Sequence, residues 1–148
     1  MKLFTLDEAQ SLVPVLQSLL KRAIEGKRSA EQINDSLQQL AQRIYVSGGM
    51  HVDIAKVARQ RTEMEAYIQR AKDAVQEIDA IGVQVKDLDT GLLDFPCKVD
   101  EEVVLLCWKM GEARITHWHT MESGFAGRQP LDERFEGRPR RPKPERPN

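Results

Sequence analysis

The chain has 148 residues and a net charge of −1; 30% of it is charged and only 5% aromatic. That balance suits one domain, or one domain with an elongated appendage, and favours long solvated helices over a thick globular core. It excludes a global electrostatic signal for nucleic acid or for membrane attraction.

The opening MKLFTLDEAQ is charged within a few residues and lacks an uninterrupted apolar core, so no ordinary signal peptide is expected there. No apolar run approaches membrane-spanning length. Two cysteines, Cys97 and Cys107, are too few for a disulfide framework and suit a reducing, cytoplasmic setting.

Residues 1–81 read as a helical hairpin. Thr5 and Glu8 match a capping box, in which each side chain satisfies the other's free backbone N–H, so a helix opens there. Pro14 removes one intrahelical hydrogen bond beyond it. Leu12, Leu16, Leu19, Ala23, Gly26, Ala30, Ile33, Leu37, Leu40 and Ile44 then follow 4-3 spacing, a narrow seam along roughly 50 Å of helix. Ser47-Gly48-Gly49 interrupts with turn residues. The period resumes at Ile54, Val57, Arg61, Met64, Ile68, Ala71, Val75 and Ile78, which predicts an antiparallel, coiled-coil-like partner helix. Folding about the glycine pair sets Ala23 and Gly26 near Ala71 and Ala74, where small residues allow close approach.

Residues 82–135 read as a small antiparallel sheet ending in a Gly/Arg loop and packed on the helix ends. Four strands are predicted in a meander: 83–88, 92–98, 102–109 and 114–119, with short links at Thr90-Gly91, Asp100-Glu101 and Gly111-Glu112. With two-residue turns, Asp87, Asp94, Cys107 and Thr116 form one row. Leu93, Phe95, Leu106 and Trp108 take the opposite, more apolar face, together with His117 and His119. The fold class is thus α+β. This register separates Cys107 from both histidines and argues against a joint metal site, although a one-residue slip in a hairpin would reverse the strand concerned.

The unusual side chains all fall in the sheet half. His117-Trp118-His119 sends two imidazoles to one face, a spacing suited to a transition-metal ion, so His117 and His119 are candidate metal ligands. Asp94 is poorly matched to the middle of a strand and calls for a cationic partner from Lys86, Arg114 or Arg128. Gly124-Phe125-Ala126-Gly127-Arg128 lacks a following helix and is therefore no P-loop; it reads as a turn aiming Arg128 at a carboxylate. Cys107, in an apolar strand, reads as inert, and no Ser-His-Asp or Cys-His relay is legible. Residues 136–148 hold four prolines and a charge of +3, the composition of an extended, disordered tail.

The runs K-D-L-D-x-G-L-L-D-F-P, L-C-W-K-M-G-E, W-H and G-F-A-G-R-Q-P-L, with the opening F-T-L-D-E-A, resemble a small bacterial family, domain of unknown function 2203. The resemblance covers nearly all of the chain before the tail and implies no reaction, substrate or cofactor. Its motif picks out Lys86, Asp87, Asp89, Asp94, Cys107, Trp108, Glu112, Trp118, His119 and Arg128, but not His117.

Two functional readings follow. The first is a non-enzymatic interaction or scaffold domain that self-associates as a homodimer; the unreadable catalytic relay favours it. The second is a small-ligand or metal-binding domain, open to catalysis, that uses Asp87, Asp94, Glu112, His119 and Arg128. The two differ in whether those polar side chains converge or scatter.

Overall fold

The computed structural model describes residues 1–49 and 51–135. The Pro/Arg-rich segment 136–148, read above as a tail, lies outside the described residues. Two helices come first: α1 spans Leu6–Val46 and α2 spans Ile54–Ile81. Thr5 and Glu8 form the capping box, Thr5 N–H to Glu8 Oε1 and Glu8 N–H to Thr5 Oγ1, each 3.1 Å. Pro14 sits inside α1 without ending it. The helix stops where Gly48 and Gly49 take φ of 72° and 113°, with Gly49 N–H returning to Ile44 O at 3.0 Å. Asp53 caps α2 through Lys56 N–H at 3.0 Å.

Contacts divide the described residues into two compact units, one formed by Ser18–Glu77 and the other by Met1–Gln17 with residues 78–135. In the first unit, Leu19, Ala23, Gly26 and Ala30 are buried on α1. On α2 the seam runs through Val57, Gln60, Met64, Tyr67, Ala71 and Ala74, whereas Ile54, Arg61 and Ile68 are exposed. Two stripes of equal 3-4 spacing compete on α2, and the one chosen brings the small side chains inward. At Gly26 an added Cβ would lie 2.8 Å from Tyr67 O and 3.3 Å from Ala71 Cβ, so backbone proximity decides the phase. No helix among the described residues is long and apolar enough to cross a membrane.

The second unit carries the sheet. Its strands are β1 (Gln84–Asp87), β2 (Leu92–Val99), β3 (Glu102–Lys109), β4 (His117–Thr120) and β5 (Gln129–Pro130), all antiparallel and in sequence order. The short β5 is one strand more than the sequence predicts. Within this unit Phe4 joins the sheet: its N–H bonds Pro96 O at 2.7 Å and its ring meets Phe95 edge-on. Leu16, Ile78, Leu93, Phe95, Leu106 and Trp108 are fully buried. Each such side chain contributes about 1.5–3 kcal/mol from removal from water.

The β2–β3 hairpin has the predicted two-residue turn, Val99 opposite Glu102, with φ of 49° at Asp100 and 65° at Glu101. Two neighbouring registers differ from expectation. Gln84, not Asp87, lies opposite Asp94, because β1 is irregular between Val85 and Asp87 and turns through Leu88–Gly91. The β3–β4 pairing is shifted by one residue: Cys107 faces His117, Leu106 faces Trp118 and Leu105 faces His119. Its cause lies in residues 113–116, assigned above largely to the fourth strand. Ile115 is buried and gives its N–H to Gln10 Oε1 of α1 at 2.8 Å, so this stretch leaves the ladder and β4 begins at His117.

Candidate functional site

The shift in β4 rearranges the chemistry of the sheet. Directly opposed residues share a face, so one face carries Leu93, Phe95, Leu106, Trp108 and Trp118. The other carries Asp94, Cys107 and His117 in one row, and Pro96, Leu105 and His119 in the next. The expectation that Cys107 and the histidines point to opposite sides is therefore overturned.

Asp94 of β2 and His119 of β4 meet across the intervening strand. Nε2 of His119 lies 2.9 Å from Asp94 Oδ1, and the two residues are 2% and 1% exposed. The other ring nitrogen, Nδ1, lies 2.8 Å from Thr120 O. Asp94 Oδ2 is buried and makes no hydrogen bond among the described residues. Thus His119 is the partner of Asp94, in place of the Lys86, Arg114 or Arg128 that a strand aspartate suggests.

Cys107 lies beside this pair on the central strand. One ligand atom each from Asp94, Cys107 and His119 falls within 4.8 Å of the others, and all three residues are buried. Burial pushes the Cys107 thiol up to about 11; the Asp94 carboxylate adds to this, and the nearby Arg128 guanidinium opposes it. Burial raises the Cys97 thiol as well. Cys97 pairs with Val104 on the apolar face, and both cysteines are free.

The second polar pair joins Arg128 to Glu112. A single-turn 3-10 segment, Phe125–Gly127, follows Gly124 at φ 61° and delivers Arg128 as predicted, onto a carboxylate. Arg128 Nη2 bonds both Glu112 oxygens, at 2.8 and 3.0 Å, and reaches Cys107 O at 3.5 Å. Its guanidinium also covers the Phe125 ring at 4.9 Å. Glu112 is itself held, accepting from Lys109 N–H at 2.7 Å and, through its carbonyl, from Trp108 Nε1 at 3.0 Å.

Of the residues singled out from sequence, Asp94, Glu112, His119 and Arg128 come together around Cys107. Asp87 does not: it is exposed, and its Oδ1 accepts Asp89 N–H at 3.0 Å within the β1–β2 turn. His117 shares the face of His119, but it is half-buried, bonds Thr116 Oγ1 at 2.8 Å, and is not one of the three clustered ligands. The apolar strand around Cys107 by itself suggests an inert thiol. The signal for Cys107 was present in the β2–β3 register, which already sets it opposite Asp94.

Fold and site together define an α+β protein in which a helical hairpin accompanies an antiparallel sheet bearing a buried carboxylate, thiol and imidazole. A family model described as an uncharacterized conserved protein, DUF2203, matches residues 2–131. The chain belongs to that family. No curated protein and no solved structure matches it.

Proposed function

We propose that the protein is a small-ligand-binding domain whose working groups are Asp94, Cys107, Glu112, His119 and Arg128. One observation supports this most: two buried or half-buried polar pairs converge on Cys107, and Asp94 Oδ2 finds no donor among the described residues. A buried acceptor of that kind costs about 1–3 kcal/mol, and a ligand that supplies the missing partner recovers it. Cys107 has no nucleophilic part in this reading, because burial pushes its thiol up to about 11. Asp87 has no part in it.

A thermal-shift screen of the full chain against divalent metals, inorganic phosphate, small carboxylates and nucleotides tests the reading. One class should raise the melting temperature by several degrees in the wild type and fail to do so in His119→Gln or Arg128→Gln. No shift from any of them would overturn it.

Self-association through the helical unit is a second reading. It is supported by large apolar side chains around the inter-helix turn: Tyr45 is 88%, Val46 77% and Ile54 79% exposed. A homodimer joined there, with coiled-coil-like helices, should appear in light scattering and dissociate in Tyr45→Glu. A monomer at high concentration rejects it. Two free, buried cysteines favour a cytoplasmic setting.

A further inference from the structure

We propose that Asp94, Cys107 and His119 form a mononuclear site for a borderline-soft divalent transition ion, zinc being the best fit. The inference rests on the binding reading above and names its ligand.

Hydrogen-bond valence at His119 carries the first part of the argument. Both ring nitrogens face oxygen acceptors, Thr120 O at 2.8 Å and Asp94 Oδ1 at 2.9 Å. A neutral imidazole has one N–H. If Nδ1–H donates to the carbonyl, the Nε2 lone pair points at a carboxylate oxygen, and something positive must lie between them. A proton can serve there at the 2.9 Å separation, and a metal ion can once the two side chains part by a few tenths of an ångström. An Nδ1–H donated to a backbone carbonyl is the arrangement that orients metal-bound histidines through Nε2.

The second part is the unbonded Asp94 Oδ2, on a side chain 1% exposed and within the same cluster. Rotating the carboxylate toward Cys107 offers this oxygen only the weak S–H donor of the thiol, whereas a cation held between them would satisfy both groups. Tetrahedral zinc, with bonds of about 2.0–2.3 Å, spaces its ligands roughly 3.3–3.6 Å apart. The three donor atoms already lie within 4.8 Å of one another, on adjacent strands of one sheet, so side-chain rotation closes the difference.

Charge and donor type select the ion. One carboxylate, one thiolate and one neutral imidazole balance a divalent cation, which removes most of the penalty for burying charge. Sulfur and nitrogen donors suit zinc and its neighbours, whereas calcium and magnesium require shells of oxygen that this cluster lacks. Binding displaces the Cys107 proton to solvent and forms the metal–sulfur bond, with no change of oxidation state. Three protein ligands leave a fourth position for water or a small ligand. Arg128, paired with Glu112, stands beside Cys107 and reaches its carbonyl oxygen, which sets a positive charge near the proposed thiolate.

Cobalt titration of the full chain after chelator treatment tests the site. One equivalent of Co2+ should give a near-ultraviolet sulfur-to-cobalt band together with the visible bands of a tetrahedral ion. Zn2+ should displace it and raise the melting temperature by several degrees, reversibly with EDTA. Cys107→Ser should lose the near-ultraviolet band, and Asp94→Asn or His119→Gln should weaken binding by about tenfold or more. A wild-type cobalt spectrum without the sulfur band overturns the proposal, even where the variants fail to fold. So does a zinc shift that persists in Cys107→Ser. If metals have no effect while phosphate or another small ligand stabilises the wild type but not Arg128→Gln, the metal inference falls and the binding reading stands. If nothing stabilises the wild type, both fall.

Discussion

At the scale of single residues, the two polar pairs of the sheet, Asp94 with His119 and Glu112 with Arg128, join residues far apart in the chain. Arg128 and Glu112 are the clearest case, with side chains 16% and 25% exposed. Such a pair is neither screened like a surface bridge nor fully desolvated. Arg128→Gln should therefore cost about 1–2 kcal/mol in urea unfolding, between the values for exposed and buried charged hydrogen bonds. A loss indistinguishable from zero would mean that the pair is ornamental. Cys107 allows a pH prediction. Its thiol is raised from the ordinary cysteine range to about 11, so the folded state favours the protonated form. That contribution is complete below the unfolded thiol value, near 9, and is lost as pH rises through about 11. With chelator present, the wild type should lose more stability across this window than Cys107→Ser. Equal slopes would place the thiol in a more watery setting than the structure gives it.

At the scale of elements, backbone conformation and close approach decide what pattern alone leaves open. Gly26 is read in the sequence only as a gap in a heptad seam. The structure puts Tyr67 O 2.8 Å from where its Cβ would be. Alanine in an ordinary helix position gains about 1 kcal/mol over glycine. Here a clash with backbone, costing about 1–3 kcal/mol, should reverse the sign. Thermal denaturation of Gly26→Ala should show a net loss of about 1 kcal/mol, and a gain would show that the helices part easily. The β2–β3 turn works the other way. Asp100 and Glu101 both adopt positive φ, a conformation costing non-glycine residues about 1–2 kcal/mol each. Replacing them with Asn-Gly should stabilise the hairpin by about 1 kcal/mol in the same assay. The capping box, the Gly48-Gly49 stop and this turn were legible because each depends on residues within a few positions of one another. The α2 phase was not, because two apolar stripes at equal spacing compete and only the partner helix chooses between them.

For the whole molecule, burial is uneven along the helical unit. Leu19, Ala23 and Ala30 are buried, but Ile33, Leu37, Leu40 and Ile44 are only half-buried, as are Val57 and Met64 on the partner helix. The sheet centre, from Leu93 to Cys97 and from Val104 to Trp108, is buried throughout. Opening free energies follow buried apolar contact. Native-state hydrogen exchange should therefore show amides of 33–46 and 54–66 exchanging well before those of β2 and β3. Uniform protection would indicate that another surface covers the helices.

The sequence by itself determined the α+β class, the two helices and their caps, the meander order and the residues able to do chemistry. These follow from local rules: periodicity, capping, turn preference and side-chain type. Only the tertiary structure decided which of those residues meet. Gln10, more than a hundred residues away in the chain, takes the N–H of Ile115, lifts that segment from the sheet and starts β4 one residue out of the simplest register. Because strand side chains alternate, that single step carries His119 across to Asp94 and Cys107. No local rule in the fourth strand encodes a hydrogen bond from the first helix.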